Sequence, residues 1–190
     1  MTIFDDCAVM ISVHPRPCGA IISGRKTIEV RKTRPKLNTP FKCYIYCTTN
    51  ELLTKSYYNG KIYVASNRYK EPLEKNGNIT LSGKVIGEFV CDSFVTDRTF
   101  GHDALFNAAA CISEVEAAAY CLNSPMYGWH ISQLRIYDTP KALNEFHRPC
   151  TPACNFSEEC GGVQDGEHCL FPLQRPPQSW CYVQRKESAA

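Results

Sequence analysis

Two groups of residues in this 190-residue chain have the type and spacing that chemistry requires. The first is Gly24-x-Lys26-x-x-Glu29-x-Arg31, inside the stretch SGRKTIEVRK. It sets one carboxylate between two cations. Such a trio holds an anion or tunes a lysine: burial and a neighbouring cation favour the neutral amine, whereas a carboxylate favours the ammonium. The bland alternative is a solvated strand edge whose Glu29–Arg31 pair contributes well under about 1 kcal/mol.

The second group is Cys150-x3-Cys154-x5-Cys160-x8-Cys169, with His147 and His168 beside it. Four thiolates, or three and an imidazole, satisfy tetrahedral zinc. A structural zinc would supply folding free energy to a stretch poor in large aliphatics. Free thiols and disulfides are the other two readings. Cysteine is unusually frequent, 12 of 190 residues, and Cys43, Cys47, Cys91, Cys111 and Cys121 lie among apolar neighbours and read as core. Nothing in the sequence calls for an organic cofactor.

Single residues add less. Trp129-His130 places a flat ring beside an imidazole, and alternation sends one of them to the core and the other outward. Trp129 or Trp180 would be either a core residue or a base-stacking platform, the latter worth about 1–3 kcal/mol per base. His14, ahead of Pro15, falls near the charged motif. His102 lies in a loop before an alanine-rich helix.

The elements that must position these groups follow from pattern. Ala8–Val13 reads as a strand, and Pro15 opens a short helix in the position where a missing N–H costs little. Gly24 ends that helix in the left-handed conformation. Lys26–Lys32 reads as a strand in which Ile28 and Val30 face the core and Glu29 and Arg31 share the opposite face. Lys26, at the strand's start, is free to turn to either side. Phe41–Thr48, Lys61–Ala65, Gly83–Val95, Met126–Tyr137 and Ser179–Gln184 are further strands. The switch in parity between Ile131 and Leu134 predicts a bulge or bend. Ser113 and Glu116 form a capping box for the helix ending near Cys121. Lys141–Phe146 reads as a short helix. The sum is a mainly β, α+β domain, a small closed or nearly closed barrel with short flanking helices. Residues 1–146 form the barrel, 147–178 a Cys-rich excursion, and 179–190 a returning strand and tail.

The spacing GxKxxExR, preceded by a strand ending in His14-Pro15 and followed by the later strands Gly83–Val95 and Tyr127-Gly-Trp-His-Ile131, resembles the ASCH domain family of the PUA-like superfamily. The resemblance covers roughly residues 8–146. It implies a small β-barrel with a cleft whose mouth is lined by Lys26, Glu29 and Arg31, and a link to RNA or nucleotides. Some members resemble amidohydrolases that deacylate N4-acylated cytidine, and others are reported to cut RNA. In the amidohydrolase type a motif lysine acts with a threonine three residues on and a distant glutamate. Here Lys26 matches, Glu29 takes the threonine's place, and Glu114 or Glu116 would supply the distant carboxylate.

Charge bounds the partner. With 21 basic and 19 acidic residues the chain lacks the excess of a strong duplex binder. It has no apolar run approaching the roughly 18 residues that span a bilayer, and no signal peptide, so a cytoplasmic protein without membrane association is expected. The expectation is a module that binds a nucleotide, a modified nucleoside or a short single-stranded RNA through Lys26, Glu29, Arg31, His14, Trp129 and His130. The rivals are a hydrolase using Lys26 with Glu29 or Glu114, and an interaction module in which Glu29–Arg31 only braces the barrel.

Overall fold

A computed structural model describes residues 7–67, 77–122, 124–149, 163–164 and 169–184. β1 (Cys7–Val13) is buried from Ala8 onward. Both of its faces are covered, which is why it reads as an unbroken apolar run rather than an alternating one. It pairs in parallel with β3 (Phe41–Cys47) and antiparallel with β14 (Trp180–Gln184). β3 passes the ladder to β7 (Val85–Cys91), and β7 to β10 (Ser132–Lys141), giving the order β10-β7-β3-β1-β14.

On one face of this sheet Val9, Ile11, Val13, Cys43, Ile45 and Cys47 meet Cys18 and Ile21 of α1 (Pro15–Ile22). On the other, Ala8, Met10, Tyr44 and Tyr46 meet Phe146, Leu173 and Val183. α1 starts on two prolines in its first turn and is followed by Gly24 at φ 72°, as the sequence predicts.

A second sheet has the order β2-β9-β8, from β2 (Ile28–Arg31), β9 (Met126–His130) and β8 (Phe94–Asp97). Ile28, Val30 and Met126 bury one face of it under α2 (Ala104–Ala110) and α3 (Glu114–Cys121). Trp129 buries the opposite face in the core of the first sheet. The capping box of α3 is complete: Ser113 Oγ accepts from Glu116 N, and Glu116 Oε2 accepts from Ser113 N at 2.8 Å. Two smaller sheets flank these. One joins β4 (Leu52–Tyr58), β5 (Lys61–Asn67) and β6 (Ile79–Thr80), and the other joins β11 (His147–Pro149), β12 (Val163–Gln164) and β13 (Cys169–Pro172).

The expected closed or nearly closed barrel does not form; among the described residues no sheet closes. Two of the chain's passages between the two large sheets fall inside segments that read as single strands. Gly83–Val95, read as one strand, leaves the first sheet after Cys91 and enters the second at Phe94. Met126–Tyr137, also read as one strand, breaks at Ile131. There Gln133 at φ 49° and a register shift between Ser132 and Arg135 turn the chain into the first sheet. His130 N donates to Ser93 O at 3.0 Å, so the two crossings lie side by side. Among the described residues no helix is long and apolar enough to cross a membrane.

Candidate binding site

Strand parity decides where the motif points. Ile28 and Val30 face the helices, so Glu29 and Arg31 face the first sheet. Register places Glu29 opposite Trp129 and Arg31 opposite Tyr127. The face that strand pattern alone allows as a solvated edge is therefore an interior seam, and Lys26 and Glu29 are each only 5% exposed.

Lys26 Nζ donates to Ala110 O at 2.8 Å, at the end of α2, and lies 3.3 Å from Glu29 Oε2. Arg31 Nη2 lies 3.1 Å from Glu29 Oε1 and donates to Ser12 O of β1 at 2.7 Å. The trio thus runs from α2 through β2 to the first sheet. Desolvated ions of this kind are costly unless every group is met, and here some are not. Glu29 Oε2, Arg31 Nε and Trp129 Nε1 are buried without a hydrogen-bond partner.

Trp129 is fully buried. Its ring stands edge-on to Phe41, Phe94 and Trp180, with centroids 6.0, 6.0 and 5.9 Å away. It is a core residue rather than an open stacking platform, and only its N–H edge is unspent. Trp180 is half-buried, and its Nε1 donates to Thr33 Oγ1 at 3.0 Å. Tyr182 stacks edge-on against it at 5.4 Å and its hydroxyl accepts from Lys36 N at 2.8 Å. The aromatic chain therefore ties β14 to the segment that follows the motif.

This arrangement of sheets can be compared with known proteins. No family model matches the chain, and no curated protein matches it. Among solved structures, a serine-to-alanine mutant of the ASCH protein from Zymomonas mobilis superposes with a TM-score of 0.50 at 19% identity, over 96% of this chain and 92% of that one. The unmutated ASCH structure from the same organism gives 0.49 at 18% identity, over 93% and 87%. The fold is ASCH-like.

Within this ASCH-like domain the remaining candidates are dispersed. His14 is exposed at the start of α1, its Nδ1 3.1 Å from Thr48 Oγ1 and 3.0 Å from Asn50 Oδ1. His130 points away from Trp129, as alternation demands, and its Nδ1 sits 2.6 Å from Asp92 Oδ1. That hydrogen bond is the main reason the Asp92 carboxyl lies below its ordinary range. Glu114 is exposed and pairs with His102 Nδ1 at 2.5 Å rather than with Lys26. Cys150, Cys154 and Cys160 lie outside the described residues, and Cys169 opens β13. Among the described residues no three His, Cys, Asp or Glu side chains are grouped as metal ligands.

Sequence reasoning missed the two backbone acceptors, Ala110 O and Ser12 O, because a carbonyl has no residue type to read. It also missed Arg34, whose guanidinium stands over the rings of Phe94 and Tyr127 at 5.6 and 5.9 Å. The signal for it was the cross-strand row Arg31–Tyr127–Thr96, visible only once register is known.

Proposed function

We propose that the chain binds a nucleotide, a modified nucleoside or a short single-stranded RNA, with Glu29, Arg31 and the Trp129 N–H edge reading a polar ligand edge. The observation that carries this reading is a set of buried polar atoms in the seam without a hydrogen-bond partner: two donors, Arg31 Nε and Trp129 Nε1, and one acceptor, Glu29 Oε2, which has only the Lys26 ammonium at 3.3 Å, all on one side of β2 and β9. An unmet buried polar atom costs about 1–3 kcal/mol. A nucleobase edge, which offers donors and acceptors side by side, would recover part of that. The GxKxxExR resemblance points to the same ligand class. Lys26 positions Glu29, its Nζ being held by Ala110 O and the carboxylate.

A hydrolase acting on N4-acylated cytidine or on RNA is the second reading. The buried contact of 3.3 Å between Lys26 Nζ and Glu29 Oε2 brings together the two residues this reading uses, although a carboxylate beside a lysine favours the ammonium. The pairing of Glu114 with His102 weighs against a distant carboxylate acting with Lys26. The test is a screen of nucleosides, N4-acetylcytidine and short RNAs for binding and turnover, with Lys26→Ala and Glu29→Gln beside the wild type. Binding without turnover, lost in Glu29→Gln at a temperature where that variant is folded, is the expected result. Turnover abolished by Lys26→Ala would establish the hydrolase. Folded variants that differ from wild type only in stability, with no ligand bound by any of them, would leave the trio as a brace between sheets.

A further inference from the structure

Beside the Arg31 end of the motif the surface opens into a cavity of about 570 Å3 lined by Arg34, Thr96, Arg98, Phe100, Pro125 and Tyr127. That volume is within the range of small-ligand sites. Its lining holds two guanidiniums and two aromatic rings but no carboxylate. Among the described residues neither Arg34 nor Arg98 has an ion-pair or hydrogen-bond partner. Arg34 uses its flat face on Phe94 and Tyr127, and a stacked guanidinium keeps its in-plane N–H groups for an anion.

Phe100 is the second observation. The residue is 43% exposed although its backbone sits at φ 57°, a region that costs a non-glycine residue roughly 1–2 kcal/mol. The loop is held there from several sides. Buried Asp97 accepts from Thr99 N and Gly101 N at 2.7 Å each and from Thr99 Oγ1 at 2.6 Å. Asn107 Nδ2 donates to Gly101 O at 2.6 Å, and Cys121 Sγ donates to Phe100 O at 3.1 Å. An exposed aromatic fixed in a strained conformation at the rim of a cationic cavity is a preorganised contact, not a mobile loop tip.

We propose that this cavity holds a flanking nucleotide of a single strand, its phosphate on Arg34 and Arg98 and its base against Phe100 and Tyr127. Cationic grooves interleaved with aromatic faces are the physical pattern for sequence-tolerant single-strand binding. The cross-strand row Arg31–Tyr127–Thr96 sets the cavity beside the motif strand, and the proposal has one nucleic-acid strand reach both. For its ligand class the inference rests on the reading above, but its residues are different ones.

The experiment is fluorescence anisotropy with labelled hexauridylate RNA, wild type against Arg34→Gln, Arg98→Gln and Phe100→Gly. Glycine removes the ring at a position whose backbone it favours, so the fold is kept. Each arginine variant is expected to weaken binding about tenfold and to lower the salt slope of log K by about 0.7. Phe100→Gly should weaken it by about 5- to 150-fold, the range that base stacking gives. Arg34→Gln and Arg98→Gln, which remove phosphate contacts, should bind phosphate-free nucleosides as the wild type does. Hexauridylate binding that ignores these substitutions, its absence in the wild type, or equal displacement by hexa-aspartate overturns the proposal. A wild type that binds hexauridylate through these residues but binds no nucleoside supports this cavity while overturning the seam as a nucleoside site.

Discussion

Arg31 Nη2 reaches Glu29 Oε1 at 3.1 Å and, with the same nitrogen, the carbonyl of Ser12 at 2.7 Å, so one guanidinium ties the motif strand to β1 of the other sheet. Glu29 is the hinge of that link, since its second oxygen faces Lys26. Glu29→Gln leaves two desolvated cations without their shared counter-charge. The expected loss is about 3–5 kcal/mol, seen as a fall in Tm of about 2–4 °C per kcal/mol for a chain of this size. Replacing the trio together by Lys26→Met, Glu29→Leu and Arg31→Met should restore most of it. A Glu29→Gln protein as stable as the wild type would show that the trio is not a coupled unit.

The Phe100 loop predicts a contrast between two glycines. A Cβ at Gly101 would come within 2.5 Å of Ala118 N and 2.8 Å of Ala117 C, with φ at 97°. Both obstacles are backbone and cannot turn aside. At Gly24, φ is 72° but nothing lies within 4 Å of the added carbon. Gly24→Ala should cost only the left-handed penalty of about 1 kcal/mol. Gly101→Ala should cost at least twice that, read from the shift in urea midpoint. Equal midpoints for the two variants would mean that α3 does not fix the loop.

Much of this frame is visible in the sequence, for identifiable reasons. Gly24, the Ser113–Glu116 box and the bend between Ile131 and Leu134 are local signals, and each appears where its chemistry dictates. The pairing of Glu29 with Arg31 follows from strand alternation. What alternation does not give is which side is outside. Glu29 faces an interior because the chain folds a second sheet over the first, a relationship set by residues about a hundred positions away. The strand β4 was missed because LLTKSYY hides a buried Lys55, whose Nζ donates to Tyr57 Oη and to the Tyr137 carbonyl. The helix α2 was missed because its signals, an Asp103 cap and a left-handed Cys111, sit in a short apolar run.

Buried thiols predict an alkaline limit to stability. Burial pushes Cys91 up to about 12 and Cys181 up to about 11, from an ordinary value of 9.0, and raises Cys18 and Cys43 as well. The folded state therefore keeps protons that the unfolded chain releases. Their contribution is complete below pH 9.0 and declines as pH rises toward about 12 for Cys91. Urea unfolding from pH 8 to 10.5 should show a falling midpoint, and Cys91→Ala should flatten the fall. In the native protein a thiol reagent should label exposed Cys111 ahead of Cys18, Cys43 and Cys91. Equal labelling rates would contradict their burial.

For the Cys-rich stretch we propose a structural zinc on Cys150, Cys154, Cys160 and Cys169, on the strength of their spacing. Protein purified under reducing conditions should carry close to one zinc per chain by elemental analysis. Chelation should then lower the melting temperature. A stoichiometry near zero with all four thiols reduced would end the idea.

The sheet built from both extremities of the described chain has a consequence for biosynthesis. β1 is flanked by β14, and Ser12 Oγ donates to Pro177 O at 2.6 Å across 165 residues. A ribosome delivers β1 first and β14 last, so the growing chain carries β1 with one edge bare until synthesis of the domain is nearly over. A naked edge is a template for pairing with neighbouring chains. Nascent chains stopped before Trp180 should therefore be the aggregating species and the clients of chaperones, while chains extended through Gln184 can cover that edge with β14.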